Sequence, residues 1–117
     1  NKFMKYQIKK RYTEEIMLEG EAESFKEFIE KKGDLRDSDL RGSDLSDRDL
    51  RGSDLSDSDL SGSDLSNSDL SDSNLSGSDL RDSKIKITQK DEIIKALKIE
   101  VIEWQKKKKR FVINATI

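Results

Sequence analysis

From Leu35 onward an apolar residue recurs at every fifth position: Leu35, Leu40, Leu45, Leu50, Leu55, Leu60, Leu65, Leu70, Leu75 and Leu80, with Ile85 in the eleventh place. Almost everything between is Ser, Asp, Arg or Gly. A period of five suits neither a helix, which repeats at 3.6 residues, nor a flat strand, which repeats at two. On a helix the Leu side chains would drift around every side; on a strand they would alternate faces. All of them can point inward only if the backbone turns a corner once per five residues.

The flanks follow more ordinary periods. Alternation of Tyr6, Ile8, Ile16 and Leu18 around Thr13-Glu14 predicts a hairpin over residues 5–19. Ser24 to Glu27 reads as a capping box, Phe25, Phe28 and Ile29 form one helical stripe, and Gly33 supplies the stop. Near the other end Thr88 and Asp91 propose a second helix start. Ile93, Ile94, Leu97, Val101 and Trp104 share one side of a helical wheel, which predicts a helix over about 89–105. Ile99 and Ile102 lie off that stripe. The alternative is that IEVIEW is a strand pairing with RFVINATI around the basic run between them.

Composition alone, 41% charged and 32% hydrophobic, points towards disorder; the unbroken five-residue period argues for order. The chain has no His and no Cys, which excludes a Ser-His-Asp triad, a thiolate nucleophile, a disulfide framework and a zinc ribbon. No apolar run is long enough to span a membrane, and no secretory leader opens the chain, so a cytoplasmic location is expected. The net charge of −2 hides a partition. Residues 1–32 carry +1, residues 33–83 carry five Arg against fourteen Asp, and residues 84–117 carry +6. Three units result: 1–32, 33–88 and 89–117.

The run GDLRD SDLRG SDLSD RDLRG SDLSD SDLSG SDLSN SDLSD SNLSG SDLRD resembles the pentapeptide-repeat family, whose pattern is small, Asp/Asn, Leu, Ser/Thr/Arg, then Gly or polar. The resemblance implies a mainly β fold, a right-handed quadrilateral β-helix in which four repeats make one coil. Leu and the small residue two before it would face inward. Leu35, Leu55 and Leu75 would then stack, as would Leu40, Leu60 and Leu80. The small position, usually Ala in the family, is here Ser38, Ser43, Ser53, Ser58, Ser63, Ser68, Ser73, Ser78 and Ser83. Each such hydroxyl needs a turn carbonyl to donate to. Arg48 occupies the same slot and cannot fit inside a tight coil, which puts the register of its repeat in question. Open coil ends would expose unpaired edges, so the hairpin-helix and the C-terminal helix are expected to cap them.

The same resemblance places Asp34 and Asp54 with Asn74, then Asp39, Asp59 and Asp79, then Asp44 with Asp64, then Asp49 with Asp69, in four outward columns. Coils stacked about 4.8 Å apart give a rod of about 13 Å. Nine net negative charges over that length approach the density of duplex DNA, though the rod imitates only about four base pairs. Some members of the family are DNA mimics, and the opening KYxIKxRxT (Lys5, Tyr6, Ile8, Lys9, Arg11, Thr13) resembles the leader of phage and prophage members. The function implied is therefore a non-enzymatic, phage-type inhibitor of a host nucleic-acid-handling or defence protein, acting through this acidic surface in the host cytoplasm. The bland reading is that Asp only solubilises the outer face.

Other motifs carry less. Asp57-Ser-Asp59-Leu-Ser61-Gly62 matches half an EF-hand loop, but Ser68 stands where a bidentate Glu is needed. Asn74 and Asn114 match glycosylation sites that matter only after secretion. The outward carboxylates have no reason for a raised pKa, and there is no Gly-rich phosphate loop. No catalytic residue, metal or cofactor is expected. Lys106, Lys107, Lys108, Lys109 and Arg110, beside Trp104 and Phe111, read as a solvated tail, as a nucleic-acid contact or as a dock for the acidic coil of a partner chain. Ile99, Ile102 and Trp104, with the basic run, are candidate dimer or tail contacts, and a homodimer through this end is expected. Binding of nucleic acid through the basic segment and a purely structural assembly role are the alternative functions.

Overall fold

The computed structural model describes residues 2–30 and 33–114. Strands β1 (Met4–Lys10) and β2 (Ile16–Ala22) form the expected hairpin, paired antiparallel with Ile8 opposite Leu18. Helix α1 (Phe25–Ile29) follows, its N-terminus capped by Ser24, whose hydroxyl accepts from the Glu27 N–H at 3.2 Å. The helix stops at Glu30 in an extended conformation; Gly33, three residues on, has a positive φ. Tyr6, Phe25 and Phe28 meet ring to ring at 5.8 to 6.2 Å and cover the start of the coil.

The repeat segment winds once per twenty residues. Parallel bridges join Asp34 to Asp54, Asp39 to Asp59, Asp44 to Asp64, Asp49 to Asp69, Asp54 to Asn74, Asp59 to Asp79 and Asp64 to Lys84. They fall into four columns, the four sides of one coil. Each side follows one rule, seen at Asp59: its N–H donates to the Ser38 carbonyl, and its own carbonyl accepts from the Leu40 N–H, both at 2.8 Å. Every repeat Leu is buried, none more than 7% exposed. No continuous sheet wraps the coil; apart from the two-residue β3 (Ser38–Asp39) and β4 (Lys84–Lys86), its sides are isolated bridges. Five residues per side leave room for one bridge before the next corner.

The corner explains the fifth position of the repeat. Eight corners close with an N–H donated to the Leu three residues back, as from Ser58 to Leu55. The residue before that donor is left-handed at Asp37, Asp47, Asp57, Asn67, Asp72 and Asp82 (φ 57° to 61°) and at Gly42, Gly52, Gly62 and Gly77. This is the geometry of a type II turn, which wants Gly or Asn there and tolerates Asp. The inward Ser hydroxyls mostly do what burial demands. Ser53, Ser58, Ser68, Ser73 and Ser78 donate to the Leu carbonyl three residues back. Ser83 donates to the Leu60 carbonyl and lies 3.4 Å from Ser63, while the Ser38 hydroxyl has no partner among the described residues. Arg48 does not disturb the register: the Asp49–Asp69 bridge and the buried Leu50 persist. Its guanidinium leaves the coil and reaches Glu30, 3.8 Å away.

The C-terminal helix is two helices, α2 (Lys90–Leu97) and α3 (Val101–Lys107), broken where Lys98 turns left-handed. The break lets Leu97 and Trp104 both bury while Val101 turns outward, 61% exposed. Strand β5 (Val112–Asn114) pairs in parallel with β4, not with residues 99–104. No helix among the described residues is long and apolar enough to cross a membrane.

Candidate binding surfaces of the acidic coil

The column carboxylates are first of all turn formers. Oδ1 of Asp34, Asp39, Asp44, Asp49, Asp54, Asp59, Asp64, Asp69 and Asp79 each accepts the N–H two residues ahead, at 2.9 to 3.3 Å. Asn74 does the same towards Ser76. Such side-chain-to-backbone turns are why Asp and Asn hold the second place of the repeat. In the look-alike calcium loop, Asp59 spends this oxygen on the N–H and hydroxyl of Ser61.

Arginine then neutralises much of what is left. Arg36 forks onto Asp34 at 3.0 Å and lies 3.6 Å from Asp54 one coil up. Arg41 binds Asp39 and approaches Asp59; Arg51 binds Asp49 and approaches Asp69; Arg81 binds Asp79. The forks hold the Asp34, Asp39 and Asp79 carboxyls below the usual carboxylate range. For Asp44 and Asp69 the hydroxyls of Ser46 and Ser71 do the same. Lys26 of α1 adds an ion pair to Asp44 at 3.5 Å.

The structure thus brings the predicted acids together in columns, but mostly as compensated ones; Asp64 has no salt bridge among the described residues. Bare charge lies instead at the corners. Asp37, Asp47, Asp57, Asp72 and Asp82 are exposed, and none forms a salt bridge among the described residues. These residues were not in the sequence-derived set. The signal was available, because Asp alternates with Gly and Asn at the one position that must be left-handed.

At the C-terminal end the candidate contacts divide. Trp104 is 2% exposed and packs on Phe111 at a ring distance of 5.3 Å. Of the two roles expected for it, the buried ring fits the contact with its own tail. Ile99 is half-buried against the core, whereas Ile102 is 71% exposed. Lys106, Lys108, Lys109 and Arg110 are exposed and Lys107 is half-buried, spread over the end of α3 and the 3-10 turn that follows.

The same segment closes the last coil side by side. Gln89 accepts from the Asn67 N–H and donates to the Leu65 and Ser68 carbonyls. Glu92 accepts from the Leu70 N–H at 2.7 Å, and burial pushes its carboxyl up. The Ala96 carbonyl accepts from Leu75, and Arg110 from Asp82. These are answers to the exposed-edge problem of any unclosed sheet.

The comparisons agree with this geometry. Residues 49–86 match the family model for pentapeptide repeats, in eight copies. This segment is a run of pentapeptide repeats. No curated protein and no solved structure matches the chain. Pentapeptide-repeat proteins are non-enzymatic interaction or structural modules, a class that suits a surface of turns and solvated ion pairs. The match begins at Asp49, but the bridges from Asp34, Asp39 and Asp44 carry the repeat geometry one coil earlier.

Proposed function

We propose that this protein is a right-handed quadrilateral β-helix that captures a basic protein surface, with the corner acids as its contact points. One observation carries the reading: the column acids are committed to turns, four of them also to Arg forks, while Asp37, Asp47, Asp57, Asp72 and Asp82 have no salt bridge among the described residues. A partner that normally handles nucleic acid has the matching chemistry, in keeping with the inhibitor role expected from the sequence. Charge in this form is a set of ridges around a short coil, not an unbroken phosphate-like track. The target is therefore recognised by spaced Lys and Arg contacts, and a close copy of duplex DNA is unnecessary.

The test compares two triple variants in capture from a cell lysate. Asp37→Asn, Asp47→Asn and Asp57→Asn keep the corner, since Asn67 already holds it at φ 60°. Asp39→Asn, Asp59→Asn and Asp79→Asn keep the turn, since Asn74 already caps one. Loss of a salt-sensitive partner with the corner variant but not with the column variant is the expected result. The reverse pattern would sink the corner reading.

A second reading rests on a separate observation. Lys106, Lys108, Lys109 and Arg110 are exposed, with no carboxylate within ion-pair distance among the described residues, which favours nucleic-acid contact through this end. Affinity for DNA or RNA that falls steeply with added salt is the outcome it requires. Exposed Val101 and Ile102 at the start of α3 support self-association there; sedimentation of Ile102→Lys checks it.

A further inference from the structure

The C-terminal cap leaves one side of the last coil open. The side built on Asp79 has Ser58 and Leu60 beneath it, bonded by the usual pair: Asp79 N–H to the Ser58 carbonyl and Leu60 N–H to the Asp79 carbonyl. Its own outward pair, the Ser78 carbonyl and the Leu80 N–H, has no partner among the described residues. The corresponding Leu65, Leu70 and Leu75 N–H groups of the other three sides are bonded, to the Lys84 carbonyl, Glu92 and the Ala96 carbonyl. Over this side α3 runs into the 3-10 turn at Lys108–Arg110, where the Lys108 carbonyl already accepts from Phe111. The nearby chain therefore has little left to offer the open pair.

The opening is a groove of about 470 Å³, walled by Arg11 of the hairpin on one side and by Lys107, Arg110 and Phe111 on the other. Its one acid, Asp79, is forked by Arg81. Arg11, Lys107 and Arg110 have no carboxylate within ion-pair distance among the described residues. Arg11 donates to the Asp57 carbonyl at 2.9 Å, and its Nε is buried without a partner. An unpaired strand edge between three cations, of which Arg11 feels a nearby acid, Asp79, is a specific demand: an extended backbone carrying carboxylates.

We propose that this groove is a peptide slot, in which an extended acidic segment of a partner protein adds one parallel bridge to the Asp79 side. One of its residues donates its N–H to the Ser78 carbonyl and accepts the Leu80 N–H through its own carbonyl. Neighbouring Asp or Glu side chains meet Arg11, Lys107 and Arg110, and apolar ones lie towards Phe111 and Leu97. The slot takes a ligand of opposite sign to that of the corner acids, although Asp57 borders it through Arg11 and Gly77.

Amide-resolved NMR on the full chain tests it, with the blocked peptide Ac-Asp-Val-Asp-Val-Asp-NH2 as probe. In the free protein the Leu80 amide is expected to exchange faster than that of Leu60. The peptide is expected to shift the Leu80 amide saturably and to slow its exchange. Replacing Asp by Asn in the peptide, N-methylating its three central residues, or introducing Lys107→Gln with Arg110→Gln should each weaken binding at least tenfold. The N-methylated peptide keeps the test decisive should the protein variant misfold. The proposal is overturned if Leu80 does not move, or if the N-methylated peptide binds as well. An equal response to inorganic phosphate would reduce the groove to an anion site and overturn it too. So would movement of Leu80 on concentrating the protein alone, which assigns the slot to a second copy.

Discussion

The two ends of the coil face the same problem and meet it with different parts. At the N-terminal end the hairpin pairs as a strand, β1 against β3 through Lys9–Asp39 and Lys10–Ser38, with the Arg11 N–H on the Asp37 carbonyl. Lys26 reaches Asp44 and Ser46 from α1. At the C-terminal end the bonds come from side chains and a helix end: Gln89, Glu92 and the Ala96 carbonyl, before β5 takes over. A strand satisfies an edge with groups every residue possesses, so it tolerates substitution. A side chain satisfies it with groups that one mutation removes.

Gln89→Ala should therefore show the largest effect. Gln89 is 5% exposed and its amide also accepts from the Lys86 N–H, so its loss strands two N–H donors and the Ser68 carbonyl, while the Leu65 carbonyl keeps the N–H and hydroxyl of Ser68. About 2–4 kcal/mol of destabilisation is expected in urea unfolding, since each buried group left unpaired costs about 1–3 kcal/mol and water recovers part. A loss under about 1 kcal/mol would show that this cap is no more fragile than the other. Ser24→Ala comes next, at about 1 kcal/mol, the usual worth of an N-cap; its effect should stay within α1 by hydrogen exchange. Lys26→Met should cost less than about 1 kcal/mol, because its ion pair is solvated on the Asp44 side and Met keeps the apolar stem of the half-buried Lys26. A larger loss would mean that the first coil leans on α1 more than on the strand.

Acid separates the coil from its C-terminal cap by sign. The lowered carboxyls of Asp39 and Asp79 contribute stability at pH values above their unfolded pKa, about 3.9, and lose it as pH falls through their folded values. The raised carboxyl of Glu92 acts oppositely: its charged form costs stability at neutral pH, and the cost disappears as pH falls towards about 4.3. Thermal melts should thus rise slightly from pH 7 and then fall steeply below about pH 4. Glu92→Gln should remove the rise and leave the fall. A rise that survives in that variant assigns it to another group.

What was legible in the sequence follows the same divide. The hairpin and the Leu positions rest on periodic patterns, and the resemblance those patterns carry implied the inward Ser and the twenty-residue offset. Such patterns are cooperative constraints on backbone, and they are written many times over. The cap of the last coil is written once. Gln89 and Glu92 look like any polar residues at a helix start, and nothing in KALKIEV marks the left-handed Lys98 that splits the helix. No Gly or Pro stands there; packing of Leu97 and Trp104 on the coil decides it. The acidic columns were located correctly, but their neutralisation was not seen, because Arg occupies the fourth place of only some repeats.

The four-sided coil also acts as a counter. Arg11 belongs to the first cap, while Lys107 and Arg110 belong to the second, yet they face one groove. They do so only because the intervening repeats bring the chain back to the Asp79 side. Duplicating four repeats would lengthen the rod and leave both ends in phase, pulling Arg11 away along the same side. Duplicating a single repeat would turn the second cap by one side and carry its cations to a different corner. Repeat number in this protein is therefore an angular coordinate as well as a length, and the groove as built depends on both.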